Sequence, residues 1–193
     1  MKKSISSIAL SLFLILASTQ VDAQLTVSGV TLPGSLKVGT NNLALNGGGV
    51  RVKLFMDIYV AGLYVTTKSN NGDAIAKANE ASAVKLQITS SLVTSDRMKE
   101  AILEGFKKST GGKTGSLQAK IDKFVNVFSL EPIVKGNVFD ITYTPTGGVQ
   151  ISKNDKVLVT IDGLDFKTAL WGIWLGNEPA DKGLKASMLG EKK

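Results

Sequence analysis

Apolar residues change their spacing several times along the chain, and the changes mark out its elements. Residues 25–31 and 42–46 form short apolar-polar runs with Pro and Gly punctuation between them, which predicts short strands. Gly47-Gly48-Gly49 is expected to break the chain. Residues 50–67 are rich in β-branched and aromatic side chains, among them Phe55, Ile58, Tyr59, Val60, Tyr64 and Val65. That stretch is too long for one flat strand. Gly62 should mark a bend or bulge, or the segment should form two paired strands.

Helical spacing follows. A short helix is expected at 73–79 and a strand near 83–90. Thr94 or Ser95 can cap a helix running to about Lys108, with Met98, Ala101, Ile102 and Phe106 on one face. Gly111-Gly112 ends it. Leu117, Ile121, Phe124, Val125 and Phe128 predict a second helix over 116–128. Residues 137–145, 148–152 and 156–161 read as a three-strand meander, with turns at Thr146-Gly147 and Asn154-Asp155. A helix over 164–175 is stopped by Gly176. Pro179 opens a last helix ending near Leu189, with Gly190 as its C-cap. Strands grouped apart from helices, without βαβ alternation, predict an α+β fold with an antiparallel sheet.

The N-terminus has a different pattern. Lys2 and Lys3 precede an apolar run from Ile8 to Ala17 interrupted only by Ser11, and small residues end in Val21-Asp22-Ala23. A signal peptidase needs small residues one and three positions before its cut, so residues 1–23 read as a secretory signal peptide and 24–193 as one domain. The apolar run is about half the ~20 residues of a membrane-spanning helix. With no cysteine in the chain, a lipid-modified N-terminal cysteine is ruled out, and a soluble periplasmic or secreted domain without a stable membrane anchor is expected.

Composition narrows the chemistry. The chain has no histidine and no cysteine, which removes Ser-His-Asp triads, thiolate nucleophiles, imidazole catalysis and the usual zinc and haem sites. No Asp-rich loop has calcium-binding spacing, so neither a metal nor a cofactor is expected. The net charge is +7, but its lysines are scattered and only Arg51 and Arg97 are arginine. Without a basic stripe and stacking aromatics, nucleic acid is a poor partner. Ser109-Thr110-Gly111-Gly112-Lys113-Thr114 lacks the first glycine of a phosphate loop, whose place is held by Lys107, and it follows a helix rather than a strand.

Arg51 is the more informative residue. Arginine is scarce here, and this one lies at the start of the most apolar strand. Beside an apolar cavity its planar donor fork would grip a carboxylate or an enolate-like oxygen. Tyr59 lies at even spacing from it; in one unbroken strand the two would share a face, and the phenol would add a donor. Trp171, Trp174 and Leu175 form an aromatic helix face that either packs in the core or walls a ligand pocket.

The stretch from Leu45 through Gly47-Gly48-Gly49-Val50-Arg51 to Tyr59-Val60-Ala61-Gly62-Leu63-Tyr64 resembles the signature of chalcone isomerase-like proteins. The segments 169–176 and 181–190 look like the C-terminus of their bacterial, exported branch. The resemblance implies an open-faced β-sandwich, a large antiparallel sheet covered by a helical layer. It also implies one of two activities: cyclisation of chalcones to flavanones, as in plant enzymes, or fatty-acid binding without known catalysis, as in a related plant group. In both, an arginine after the glycine-rich stretch faces the ligand, and Arg51 matches it. Tyr59 falls where the enzymes carry a threonine and the fatty-acid binders use a tyrosine, with Tyr64 as second candidate. The catalytic tyrosine of the enzymes is Met98 here. Gly105 and Ile173 replace two further polar contacts.

A pocket that keeps the arginine and loses the polar lining suits an acyl chain with a charged head. A polyhydroxylated ring would bury unpaired hydroxyls at about 1–3 kcal/mol each. The expected ligand is a fatty acid or similar lipophilic carboxylate. It would be held by Arg51 with Tyr59 or Tyr64, against a wall of Ile102, Phe106, Ile173 and Trp174. Two alternatives stand beside this one. Arg51 could stabilise an oxyanion in an isomerase or intramolecular lyase, or the fold could serve an envelope interaction protein without a ligand.

Overall fold

The computed structural model describes residues 23–191, so all of the expected signal peptide except Ala23 lies outside the described residues. Two short strands, β1 (Leu25–Val27) and β2 (Val30–Leu32), form a hairpin of their own. Seven further strands follow: β3 (Ser35–Val38), β4 (Asn41–Lys53), β5 (Met56–Val65), β6 (Ser82–Ile88), β7 (Val138–Thr144), β8 (Gly148–Lys153) and β9 (Lys156–Ile161). They make one antiparallel sheet in chain order. Helices α1 (Gly72–Lys77), α2 (Ser95–Ser109), α3 (Gln118–Asn126), α4 (Leu164–Leu175) and α5 (Lys182–Met188) complete the fold. The predicted α+β class with an antiparallel sheet is observed.

Several local expectations are corrected. Residues 25–31 are not one strand, because Ser28 and Gly29 take positive φ and reverse the chain. Gly47-Gly48-Gly49 does not break the chain; it lies inside the 13-residue strand β4. The long segment is indeed divided into paired strands, but the turn falls at Leu54-Phe55 rather than Gly62, which pairs in register with Gly48. Leu54 and Phe55 have φ of 51° and 64°, the geometry of a tight two-residue hairpin turn. Bulky residues pay about 1 kcal/mol or more there. Pro179 does not open α5, because Asp181 caps it two residues downstream through a 2.8 Å bond from the Leu184 amide.

The sheet has two covered faces. The hairpin β1-β2 lies over one, where Leu32, Leu43, Leu45, Val60, Tyr64 and Ala83 form a compact cluster. The helices lie over the other. Alternation along β5, β6 and β7 sends Tyr59, Leu63, Leu86, Phe139 and Ile141 to this helical side. Rings from α2, α3 and α4 then stack with little gap: Phe106 lies 5.7 Å from Phe166 and 6.0 Å from Phe124, centroid to centroid. Helix α2 forms as predicted, with the Thr94 hydroxyl accepting from the Arg97 amide at its N-cap.

One buried cation ties the helical layer together. Lys167 on α4 is fully buried, and its ammonium donates to the carbonyls of Ile75, Ala76 and Ala78 at 2.6, 3.0 and 2.9 Å. Those carbonyls belong to the C-terminal end of α1, where a positive charge is favourable. The Tyr143 and Trp171 rings lie 5.4 and 5.5 Å from the same nitrogen. Burial pushes the Lys167 ammonium down to about 8 from its ordinary 10.5, with Glu80 acting in the opposite sense. The folded chain therefore releases this proton before the unfolded chain does, and stability should rise with pH between about 8 and 10.5. Thermal unfolding across that range should show a rise of about 2–3 kcal/mol in the wild type that is missing from Lys167→Met.

Candidate functional site

The site is positioned by an irregularity in β4. Leu45 pairs with Tyr64, yet Gly47 pairs with Leu63, so Asn46 is an extra residue in the ladder. The extra residue reverses the phase of the strand. Before it, Leu43 and Leu45 face the β1-β2 hairpin; after it, Gly47, Gly49 and Arg51 face the helices. Asn46 is held by all its amide atoms. Its nitrogen donates to the carbonyls of Ser69 (2.9 Å) and Met188 (2.8 Å), and its oxygen accepts from the Ser69 amide (2.8 Å).

The three glycines are explained by close approach. A Cβ on Gly47 would lie 2.2 Å from the Ser187 carbonyl oxygen at the end of α5. One on Gly48 would meet Leu32 at 2.4 Å on the opposite face, and one on Gly49 would meet the Ser187 Cβ at 2.7 Å. The strand is thus clamped between α5 and the hairpin, and Arg51 emerges from the clamped segment.

Arg51 and Tyr59 come together on paired strands rather than along one strand, as the sequence alone suggested. They are direct partners in the β4-β5 ladder, with the guanidinium carbon 5.6 Å from the ring centroid. The Arg51 Nε is buried and has no hydrogen-bond partner, and the side chain enters no ion pair among the described residues. Tyr59 is 3% exposed. Its oxygen accepts from the indole nitrogen of Trp174 at 3.0 Å, which leaves the phenol proton without an acceptor among the described residues. Burial raises the Tyr59 pKa above its ordinary 10, while the Arg51 charge pulls it down, so the phenol is a neutral donor. Asp181, whose charge reaches Tyr59, is itself engaged by the amides of Leu184 and Val52. The Arg51 Nε–H and the Tyr59 phenol proton, on directly paired residues, therefore stand without an acceptor among the described residues. Trp171 Nε1 and Ser82 Oγ also lack partners, but both groups are neutral.

The space beside this pair has two parts. An inner cavity of about 40 Å³ lies between sheet and helices, with Ile102, Ile173, Trp174, Leu86 and Phe139 in its wall. An outer groove of about 460 Å³ runs between the β4-β5 hairpin and α2, past Lys53, Leu54, Met56, Leu92 and Arg97. Arg51, Tyr59, Met98 and Ala101 line both, so the donor pair stands at the junction. Gly105 brings α2 close to α4: a Cβ there would be 2.8 Å from Ile173 Cγ2. A separate hollow of about 330 Å³ beside α1, lined in part by Thr66, Glu80 and Ser82, has no arginine, and Glu80 there already accepts from Thr66.

Of the residues picked from sequence, the structure gathers Arg51, Tyr59, Ile102, Ile173 and Trp174 around this junction. Two are placed elsewhere. Tyr64 points to the opposite face of the sheet, where its hydroxyl donates to the Pro33 carbonyl at 3.0 Å. Phe106 is drawn into the aromatic cluster behind the wall. Trp171 is core, beside Lys167. Leu86 and Phe139 were missed; the alternation of β6 and β7 carried the signal that would have found them. Among the described residues, no cluster of acidic side chains could hold a metal ion, and no helix is long and apolar enough to cross a membrane.

The sequence profile of chalcone isomerase-like proteins matches residues 23–190. The chain belongs to the chalcone isomerase-like family. Its open, curled antiparallel sheet with helices on one side is the family's fold. The crystal structure of a fatty-acid binding protein from Arabidopsis thaliana superposes with a TM-score of 0.69, covering 86% of this chain and 96% of that one. At 18% identity the likeness is one of fold. No curated protein sequence matches the chain.

The geometry of β4 gives a stability prediction. In Gly47→Ala the new methyl meets backbone, which cannot rotate away, so chemical denaturation should show a loss of about 3 kcal/mol. Asn46→Ala removes three hydrogen bonds and leaves their partners unmatched, and should cost about 2 kcal/mol in the same measurement.

Proposed function

We propose that this chain is a non-catalytic binder of a fatty acid or a similar lipophilic carboxylate. The observation that carries the reading is the pair of unsatisfied donors where an apolar inner wall meets the outer groove: the buried Arg51 Nε–H and the Tyr59 hydroxyl. A carboxylate would accept from both, and an ionised acceptor on a guanidinium forms a stronger bond than a neutral one. The fatty-acid binding of the Arabidopsis protein with the same fold supports the reading.

Size decides where the chain of the ligand lies. The inner cavity has room for about one water, whereas ligand pockets run to about 300–1,000 Å³. The outer groove is within that range. The head group therefore sits at the junction and the acyl chain runs along the groove, entering the inner wall as far as Met98, Ile102 and Ile173 move aside. Met98 is unbranched and adapts most readily. The isomerase alternative draws no support from this wall. By the family resemblance the catalytic tyrosine position is Met98, and burial keeps the Tyr59 phenol protonated, so it supplies no base.

We also place the protein outside the cytoplasm, in the bacterial exported branch of the family and as a single domain from residue 24. The support is Lys2-Lys3, the short apolar run and the Val21-Asp22-Ala23 cleavage pattern.

Titration with palmitate, followed by calorimetry, tests the ligand. Wild type should bind. Arg51→Ala should weaken binding about 10- to 150-fold, as expected for a hydrogen bond to a charged group worth about 1.5–3 kcal/mol. Tyr59→Phe should weaken it about 10-fold. Solvent extraction and mass spectrometry of the purified protein should recover a fatty acid. A wild type that binds no fatty acid in titration and yields none on extraction would refute the reading.

A further inference from the structure

The tip of the β4-β5 hairpin carries the two most exposed large apolar side chains on the described surface. Phe55 is 102% exposed and Leu54 76%, with Val52 and Met56 beside them in sequence. Leu92, 46% exposed, lies across the groove from this hairpin. Both tip residues are in the left-handed region, which Asn and Gly occupy far more easily. The tip therefore bears two large apolar residues where turn geometry alone would select small polar ones. It is also the rim of the groove that leads to Arg51 and Tyr59.

We propose that this hairpin tip docks the protein onto an anionic phospholipid surface, with Phe55 and Leu54 entering the headgroup-acyl boundary. The inference rests on the carboxylate-binding reading of the groove, for which it supplies the entry route. Three features favour a bilayer as the occupant. The tip is a narrow protrusion with a single fully exposed ring, the shape of an interfacial anchor. Its cationic neighbours Lys53 and Arg97 flank the groove, and the chain as a whole carries +7, which suits phosphate headgroups. Glu100 and Glu104 also line the groove, but Glu104 is paired with Lys108 at 2.6 Å. Finally, the tip is continuous with the groove mouth, so docking would place the groove where an acyl chain leaves the membrane without crossing water.

The test is co-sedimentation of the full chain with vesicles of phosphatidylglycerol and phosphatidylcholine. It compares wild type, Phe55→Asn and Phe55→Trp. Asn accepts the left-handed geometry, so Phe55→Asn should keep its unfolding midpoint and its palmitate affinity in vesicle-free solution. Its partitioning onto the vesicles should fall about 10-fold. Phe55→Trp should keep partitioning, and its new indole should shift to the blue and be quenched by brominated lipid. The apolar N-terminal run is the same in all three proteins, so the difference between them reports the hairpin alone. Three results would overturn the proposal: no vesicle binding by wild type, equal partitioning of wild type and Phe55→Asn, or a lipid-free dimer that Phe55→Asn abolishes. If docking holds while palmitate binding fails, the ligand reading falls and the membrane contact stands.

Discussion

Strand β4 must pass between α5 on one face and the β1-β2 hairpin on the other, and the space left for it is too narrow for side chains. Gly47, Gly48 and Gly49 meet that constraint. The bulge at Asn46 sets which way the strand faces as it enters the clamp. Everything at the junction follows from that phase. Without the extra residue, the side chain at position 51 would project toward the hairpin side of the sheet. Tyr59 would then have no guanidinium beside it. A backbone irregularity five residues before Arg51 is thus inseparable from the site it aims.

Two cations, Lys167 and the partly buried Arg51, show what the fold does with charge. Lys167 has three carbonyls and two aromatic faces around it, and its role ends with holding α1 to α4. Arg51 is treated in the opposite way. Its Nε is withdrawn from water, given no acceptor, and set against a tyrosine whose own proton is also unclaimed. Leaving a buried donor unmatched costs about 1–3 kcal/mol, and more for a charged group. Such a cost is tolerated where a ligand removes it. Because the walls nearby are Ile102, Ile173 and Met98, a ligand that satisfies the donors must also be apolar behind its head.

Much of this was legible in the chain. Periodicity located α2 and the β7-β8-β9 meander closely, whereas α4 is buried nearly all round and its end was marked by Gly176. Arg51 stood out by scarcity and by the glycines before it. What the chain hid was mostly non-local. Three consecutive glycines suggest a break by local rules, and only the approach of Ser187, about 140 residues later, makes them a strand. Tyr59 and Tyr64 stand as alternatives in the sequence because the family resemblance does not fix which holds the ligand position; five residues apart on β5, they face opposite sides of the sheet. Tyr64 faces Pro33 on the far side, a contact no spacing reveals. Phe106 has helical spacing suited to either a wall or a core, and the surrounding rings decided for the core.

The central claim is that Arg51 and Tyr59 hold an ionised carboxylate at the junction of groove and cavity. The most direct measurement is the NMR titration of carboxyl-¹³C palmitate bound to the protein. The bound carboxyl should stay ionised to a pH well below that at which the same acid protonates in a neutral micelle, and Arg51→Ala should abolish the difference. A bound carboxyl that titrates as it does in the micelle, with or without Arg51, would contradict the account.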